Sequence, residues 1–426
     1  MELGDHFFRR EAGRMVAALT HLFGVHNLAL AEDVVQDAFC RAMETWPFRG
    51  VPENPSAWLM TTAKRRAIDV LRRERTARTF APEYGRLLES EWTMVPLVDE
   101  HLARSALGDD LLRMMFSCCH PRLSEDAQVG LVLHILCGFS VNEVAAAFLA
   151  TPAATQKRIV RTKKVLATSK RLFDLADRDF AARLSAVHRA LYLLFNEGYH
   201  GASTESTVRT ELCQEAMHLT SLLVEHQLTS TPATLALAAL MHLNSARLPS
   251  RVDADGNLTS LVDQDRSRWD GDLIAQGLQL LERSAAGGEV TEYHVEAAIA
   301  SMHTCAPSMK DTDWARIVGL YDTLMTLRPS PVVALSRAIA VAEHQGAERG
   351  LTALAAIDDR QRLQQYPFYF AALGDMELRC ARYDSARTHF RTALTLARSA
   401  AERNFLERRI SVCDDAATLA RSSSQP

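Results

Sequence analysis

Residues 138–166, GFSVNEVAAAFLATPAATQKRIVRTKKVL, admit few folds. Val144, Ala145 and Phe148 stand at the three-and-four spacing of one buried helical face, and Ser140 precedes them as an N-cap, so a first helix is expected over 141–149. A short turn follows. Thr151 then stands before Pro152, which suits the first turn of a helix because its missing N–H would have no partner there. The second helix carries Thr155, Gln156, Lys157, Arg158, Arg161, Lys163 and Lys164 around an expected apolar stripe of Ile159, Val160 and Leu166, and it contains no acid. A helix-turn-helix ending in an acid-free basic helix can lay that helix in a major groove, its first turns at base edges and its later cations near phosphates.

The same period runs through nearly the whole chain. Alternating β-branched runs bounded by turns, the mark of strands, are missing, so the expected fold class is all-α. At 426 residues the chain calls for two or three domains, and with 47% apolar residues it has ample core material. The formal charge of −4 argues against a nucleic-acid binder only if the sum is taken over the whole chain. The first 170 residues hold a slight basic excess, concentrated at 64–78 and 157–171, and the remainder is acidic. Local positive surfaces of this kind engage phosphates by counterion release. The eight cysteines are scattered, no apolar run reaches membrane-spanning length, and no leader is evident, so a reducing cytoplasm is the expected home. Cys118, Cys119, His120, His134 and Cys137 lack zinc-knuckle spacing and lie in apolar helices; they read as core, with no metal and no cofactor expected.

The N-terminal block adds a second constellation. In AEDVVQDAFCRAMETW, Val34, Val35, Ala38, Phe39 and Ala42 make one apolar face and leave Asp33, Gln36, Asp37, Arg41 and Glu44 outward. After a Pro- and Gly-rich loop comes a helix with Trp58, Leu59, Ala63, Ala67, Ile68 and Leu71 inward. Lys64, Arg65, Arg66, Arg72, Arg73, Arg75 and Arg78 face outward. Such a basic helix beside a loop suits single-stranded DNA, with phosphates along the cations and an unstacked base in a pocket.

These motifs, in this order, resemble a group-four, extracytoplasmic-function sigma factor of the sigma-70 family. Residues 33–42 resemble its regions 2.1 to 2.2, residues 58–73 its regions 2.3 and 2.4, and residues 138–166 its region 4.2. The segments LFNEGY (194–199), DQDRSRWD (263–270), YHVEAAIA (293–300) and TDWARIVGLYD (312–322) resemble the subgroup with a tetratricopeptide-like extension. In line with that, Phe370, Leu373, Gly374, Ala386, Phe390 and Ala393 fall at repeat positions of a 34-residue helix pair. The expected organisation is a region 2 domain at 1–78, a linker at 79–108, a helix-turn-helix region 4 domain at 109–175 and a helical, tetratricopeptide-like regulatory domain at 176–426.

The resemblance implies a promoter-recognition factor rather than an enzyme, with bacterial core RNA polymerase (β′ clamp helices and β flap) and promoter DNA as partners. It also implies a protein or ligand partner for the extension. Asp33, Gln36, Asp37 and Arg41 would face the polymerase. Lys64, Arg65, Arg66, Arg72 and Arg73 would meet the opened minus-ten element, with the loop at 47–54 near a flipped base. Thr155, Gln156, Arg158 and Arg161 would enter the minus-thirty-five major groove, and Lys157, Lys163 and Lys164 would meet phosphate. Many members carry asparagine where this chain has Arg65, so the family's minus-ten preference does not transfer. Two other classes remain open. One is a one-component helix-turn-helix regulator that never touches polymerase. The other is an enzyme with its site at Asp263, Asp265, Arg266, Arg268, Trp269 and Asp270, although a salt-bridged helix start explains that segment as well.

Overall fold

The computed structural model describes residues 5–24, 27–77, 106–148, 150–167, 177–200, 208–253, 257–397 and 399–422. It is all-α: the described residues contain no β-strand, only one isolated bridge between Val252 and Leu258. Two compact units divide the chain, residues 1–194 and 195–426.

In the first unit, α1 (Asp5–Phe23), α2 (Leu28–Arg49) and α3 (Pro55–Ala77) pack together. Their shared core comprises Met15, Val16, Leu19, Val34, Val35, Ala38, Leu59, Ala63 and Ala67. Helix α2 runs further than the Pro- and Gly-rich composition suggests. Pro47 lies inside its last turn, and the helix stops only at Gly50, whose φ of +81° is a left-handed conformation that glycine adopts without strain. The loop beside α3 is therefore 50–54, not 47–54.

The second half of this unit holds α4 (Ala106–Cys118), α5 (Glu125–Ile135), α6 (Val141–Ala147) and α7 (Pro152–Ala167). Burial is dense here: Met114, Met115, Phe116, Val129, Leu131, Leu133 and Phe139 are almost fully enclosed. Cys118 and Cys119 belong to that core, and burial pushes the Cys119 thiol up to about 12. Among the described residues, no group of three His, Cys, Asp or Glu is placed to hold a metal ion. Helix α1 packs on α4, and α2 touches α7. The expected linker falls outside the described residues up to residue 105.

Helix α8 (Asp177–His200) contains the division between the units. Its first half is tied to the first unit by Arg183, whose Nη1 donates to Phe116 O at 3.0 Å, and by Arg189, which pairs with Glu125 at 2.9 Å and Asp126 at 3.1 Å. Packing of the first unit thus continues past residue 175.

The second unit continues through α9 (Thr210–Glu225), α10 (Pro232–Ser245), α11 (Gly271–Ser284), α12 (Glu292–Cys305) and α13 (Trp314–Leu327). Helices α14 (Pro331–Gln345), α15 (Ala347–Ala355), α16 (Pro367–Arg379), α17 (Tyr383–Leu396) and α18 (Ala400–Ser422) complete it. From α9 to α18 each helix packs on its neighbour in sequence. In the α16–α17 pair a Cβ at Gly374 would stand 2.9 Å from the Phe390 ring, so glycine sets that crossing, and Ala386 and Ala393 line the same seam. The α14–α15 pair has an equivalent close approach, Gly350 over Ala342.

Candidate nucleic-acid interface

Helix α6 begins with a complete capping box: Ser140 Oγ accepts from Glu143 N at 3.2 Å, and Glu143 Oε2 accepts from Ser140 N at 2.7 Å. Two otherwise orphaned donors are satisfied, worth about 1 kcal/mol. Val144 and Ala145 are buried, and Phe148 is half-buried. Across the turn, Thr151 Oγ1 accepts from Ala154 N at 3.4 Å and starts α7.

Helix α7 buries one stripe and exposes another, and the split differs from the sequence expectation at four positions. Ile159 and Leu166 are core, as their spacing implies. Val160 is 43% exposed, so it leaves the expected apolar stripe and joins the outer face. Thr155 is only 3% exposed and its hydroxyl donates back to Thr151 O at 3.0 Å, so it bonds to its own helix backbone instead of reaching toward a base edge. Arg158 leans sideways toward α5, 3.9 Å from Asp126 and 5.9 Å from the Phe148 ring centroid, and stays partly exposed. Lys163 Nζ donates to Glu32 Oε1 on α2 at 2.7 Å, so here it meets a carboxylate and not phosphate. The face that remains is Ala153, Gln156, Lys157, Val160, Arg161 and Lys164, all exposed and without an acid.

Beside α7 the partly exposed Arg158 takes part in a junction. Asp126 receives both Arg158 and Arg189, and the Phe148 ring lies 5.9 and 5.6 Å from their guanidinium carbons. Arg189 belongs to α8, so the helix leading out of this unit is pinned to the basic helix through one carboxylate and one aromatic ring.

On α2, Asp33, Gln36, Asp37, Arg41 and Glu44 are exposed, whereas Val34, Val35, Ala38 and Ala42 are buried. Asp37 accepts from Arg66 Nε at 3.0 Å, linking that face to α3. Lys64 is half-buried, and Arg65, Arg66, Arg72 and Arg73 are exposed along α3. The side chain of Arg75 and all of Arg78 lie outside the described residues. Trp58 is half-buried and meets Trp46 edge-on at 5.4 Å, a packing role. The exposed ring at this end is Phe48, 89% accessible in the last turn of α2 beside the 50–54 loop. Its position was not singled out by periodicity, because an isolated aromatic near Pro and Gly carries no face.

In the second unit the charged segment 263–270 forms no salt bridge among the described residues. Asp270 Oδ1 accepts from Asp272 N and Leu273 N, both at 3.0 Å, and caps α11. Asp265 caps a 3-10 turn (Arg266–Arg268) through Ser267 N at 3.0 Å, and Asp263 accepts from Ser260 Oγ at 2.5 Å. Arg266 donates to two backbone carbonyls, and Trp269 Nε1 donates to Ser250 Oγ at 2.7 Å. The acids that could have marked an active site are bound up in turns.

The first unit thus joins a three-helix block with a basic third helix to a four-helix block whose last helix exposes an acid-free basic face. Residues 7–77 match the model of Sigma-70 region 2, and residues 183–285 match that of a Family of unknown function (DUF6596). An uncharacterized protein of Rhizobium meliloti (strain 1021), R00370, is 36% identical over 381 residues, which cover 89% of each chain. The chain belongs to the family of that protein, and its residues 7–77 form a Sigma-70 region 2 domain, which points to a sigma factor and implies RNA polymerase and promoter DNA as partners. No described helix is long and apolar enough to cross a membrane.

Proposed function

We propose that the chain is a sigma factor of extracytoplasmic-function type, restrained or licensed by its own C-terminal domain of tetratricopeptide-like helix pairs. Asp33, Gln36, Asp37 and Arg41 on α2 face the β′ clamp helices of core polymerase. The helix-turn-helix block meets the β flap. Lys64, Arg65, Arg66, Arg72 and Arg73 hold the phosphates of the opened minus-ten strand, and Phe48 offers a ring on which an unstacked base rests. In the minus-thirty-five groove Gln156 and Arg161 read base edges, Val160 contacts a thymine methyl, and Lys157 and Lys164 meet phosphate. The acid-free outer face of α7 carries this reading.

Such work is differential binding. Two elements named minus ten and minus thirty-five lie about 25 base pairs apart, on the order of 80 Å of duplex at 3.4 Å per pair. A unit in which α2 and α7 share the Glu32–Lys163 ion pair cannot span that distance, so promoter engagement requires it to open. The Asp126 junction supplies the route by which the C-terminal domain biases opening, because Arg189 sits on the helix leading to it.

Abortive initiation by purified core polymerase with the full chain tests the reading. Gln156→Ala and Arg161→Ala each lower initiation by a factor equivalent to roughly 1–3 kcal/mol on promoters with the matching minus-thirty-five base and not on others. Lys164→Ala weakens all promoters alike and reduces the salt slope by about one. Initiation that does not depend on the added chain would remove the proposal.

A further inference from the structure

In the C-terminal unit one buried cation has no counter-ion among the described residues. Arg247, just after α10, is 8% exposed, and its guanidinium makes no hydrogen bond or ion pair with any described residue; its Nε is enclosed without a partner. Two further arginines crowd it. The guanidinium carbons of Arg247 and Arg266 lie 5.5 and 4.5 Å from the centre of one indole, that of Trp269. Arg251 lies 4.3 Å from the Tyr199 ring centroid.

These two are only partly satisfied. Arg266 Nη1 donates to the carbonyls of His303 and Ala306, each at 2.6 Å, and leaves Nη2 enclosed and unpartnered. Arg251 Nη2 donates to Tyr199 O at 3.1 Å and leaves Nε in the same state. Tyr199 Oη and His303 Nδ1 are also enclosed without a partner. Among the described residues no carboxylate pairs with any of the three arginines; the acid felt by Arg266 is the exposed Asp311. The fold can supply a carboxylate where one is wanted: buried Arg209 lies 3.6 Å from Glu197 and 3.8 Å from Glu211.

A guanidinium does not shed its proton inside a protein, so Arg247 cannot escape burial by neutralising. Enclosing unpaired like charges is costly, and stacking on Trp269 offsets only part of that cost. Burial chiefly, with Arg251 adding to it and Tyr199 opposing it, depresses the affinity of Arg247 for its proton. His303, held at about 4 by burial and then by Arg247 and Arg266, is neutral near pH 7 and adds no further charge. Among the described residues the cluster has no anion.

We infer that Arg247, Arg251 and Arg266 form an oxyanion site in the C-terminal unit that takes a phosphate group, free or carried by a small phosphate monoester. A monocarboxylate brings one charge and two oxygens. A phosphate brings close to two charges and three terminal oxygens, and guanidinium forks pair with it bidentately. Tyr199, Arg247, Arg251, Arg266 and Trp269 all lie within the segment matched by the family of unknown function, to which this assigns a ligand class. The site is the ligand arm of the regulatory reading above, but it is tested without polymerase, so failure of one leaves the other standing.

The test is thermal unfolding and 31P NMR of the full chain in phosphate-free buffer at constant ionic strength, titrated with inorganic phosphate, phenyl phosphate or acetate. The expected result is a saturable rise in Tm of roughly 5 °C or more at saturation, with phosphate or its monoester and not with acetate or added chloride. A larger response to phenyl phosphate identifies an esterified ligand; an equal one identifies free phosphate. In phosphate-free buffer Arg247→Met unfolds at or above the parent temperature and has lost the response, as has Arg266→Met. If Arg247→Met does not fold, saturable one-to-one broadening of the 31P signal by the parent chain decides alone. The inference is overturned by the absence of saturable binding up to about 10 mM. It is equally overturned by an unchanged response in a folded Arg247→Met chain, or by a response to acetate alone.

Discussion

Replacing Gly13 by alanine should destabilise this protein, although helix propensity says the reverse. Gly13 lies in the interior of α1, where exchange for alanine alone is worth about 1 kcal/mol in favour of the variant. In the packed first unit, however, a Cβ there would stand 2.0 Å from the carbonyl oxygen of Leu136, at the end of α5. Both partners are backbone, so no rotamer relieves the overlap, and the helices must part by about 1.4 Å to regain ordinary contact. Overpacking of this kind costs about 1–3 kcal/mol, so the net loss expected is up to about 2 kcal/mol. It falls on the contact between α1 and the end of α5 while sparing the interior of each three- or four-helix block. Gly319→Ala is the control: it lies in α13 with nothing within 4 Å of its Cβ, and it should stabilise by the full propensity term. Urea unfolding gives both free energies, small-angle scattering gives the dimensions, and abortive initiation gives the consequence. If opening precedes promoter binding, Gly13→Ala expands the chain and raises initiation, by up to tenfold for about 1.4 kcal/mol of lost closure. A Gly13→Ala chain that is as compact as the parent and more stable by the same amount as Gly319→Ala would refute the reasoning.

Two more outcomes follow from single buried or capping groups. His188 is enclosed in α8 and burial holds it at about 4, so between pH 6.5 and 4 the unfolded chain binds a proton that the folded chain refuses. Stability therefore falls on acidification through that window; the loss from pH 7 to 5 should be about 2 kcal/mol larger in the parent than in His188→Leu, and parallel curves would count against it. Asp270→Ala removes two hydrogen bonds to the first turn of α11 and should cost about 1 kcal/mol in urea unfolding, whereas exposed Asp263→Asn should stay within about 0.5 kcal/mol.

Local physics made much of this protein legible before any coordinates. The period of the apolar residues marks helices throughout, because a helix that buries one face must repeat its apolar residues every three or four positions. The Ser140 cap, the Pro152 start and the buried faces of α2 and α3 are equally local, each decided within one or two turns of chain.

Tertiary packing decided which charges are free. Along α7, Thr155, Arg158 and Lys163 read as members of one basic face, yet Thr155 closes on its own backbone, Arg158 goes to Asp126 and Lys163 to Glu32, while Val160 is left outside. The acids of 263–270 invite a salt-bridge reading, but they cap turns and leave Arg266 to backbone carbonyls. Arg247 carries no signal at all in its surroundings, NSARLPSR; only the fold places it beside Arg251, Arg266 and one indole. The reason is range. Helix periodicity and capping depend on neighbours a few residues away, whereas the fate of a charge depends on whichever partner or solvent the fold brings to it from dozens of residues distant.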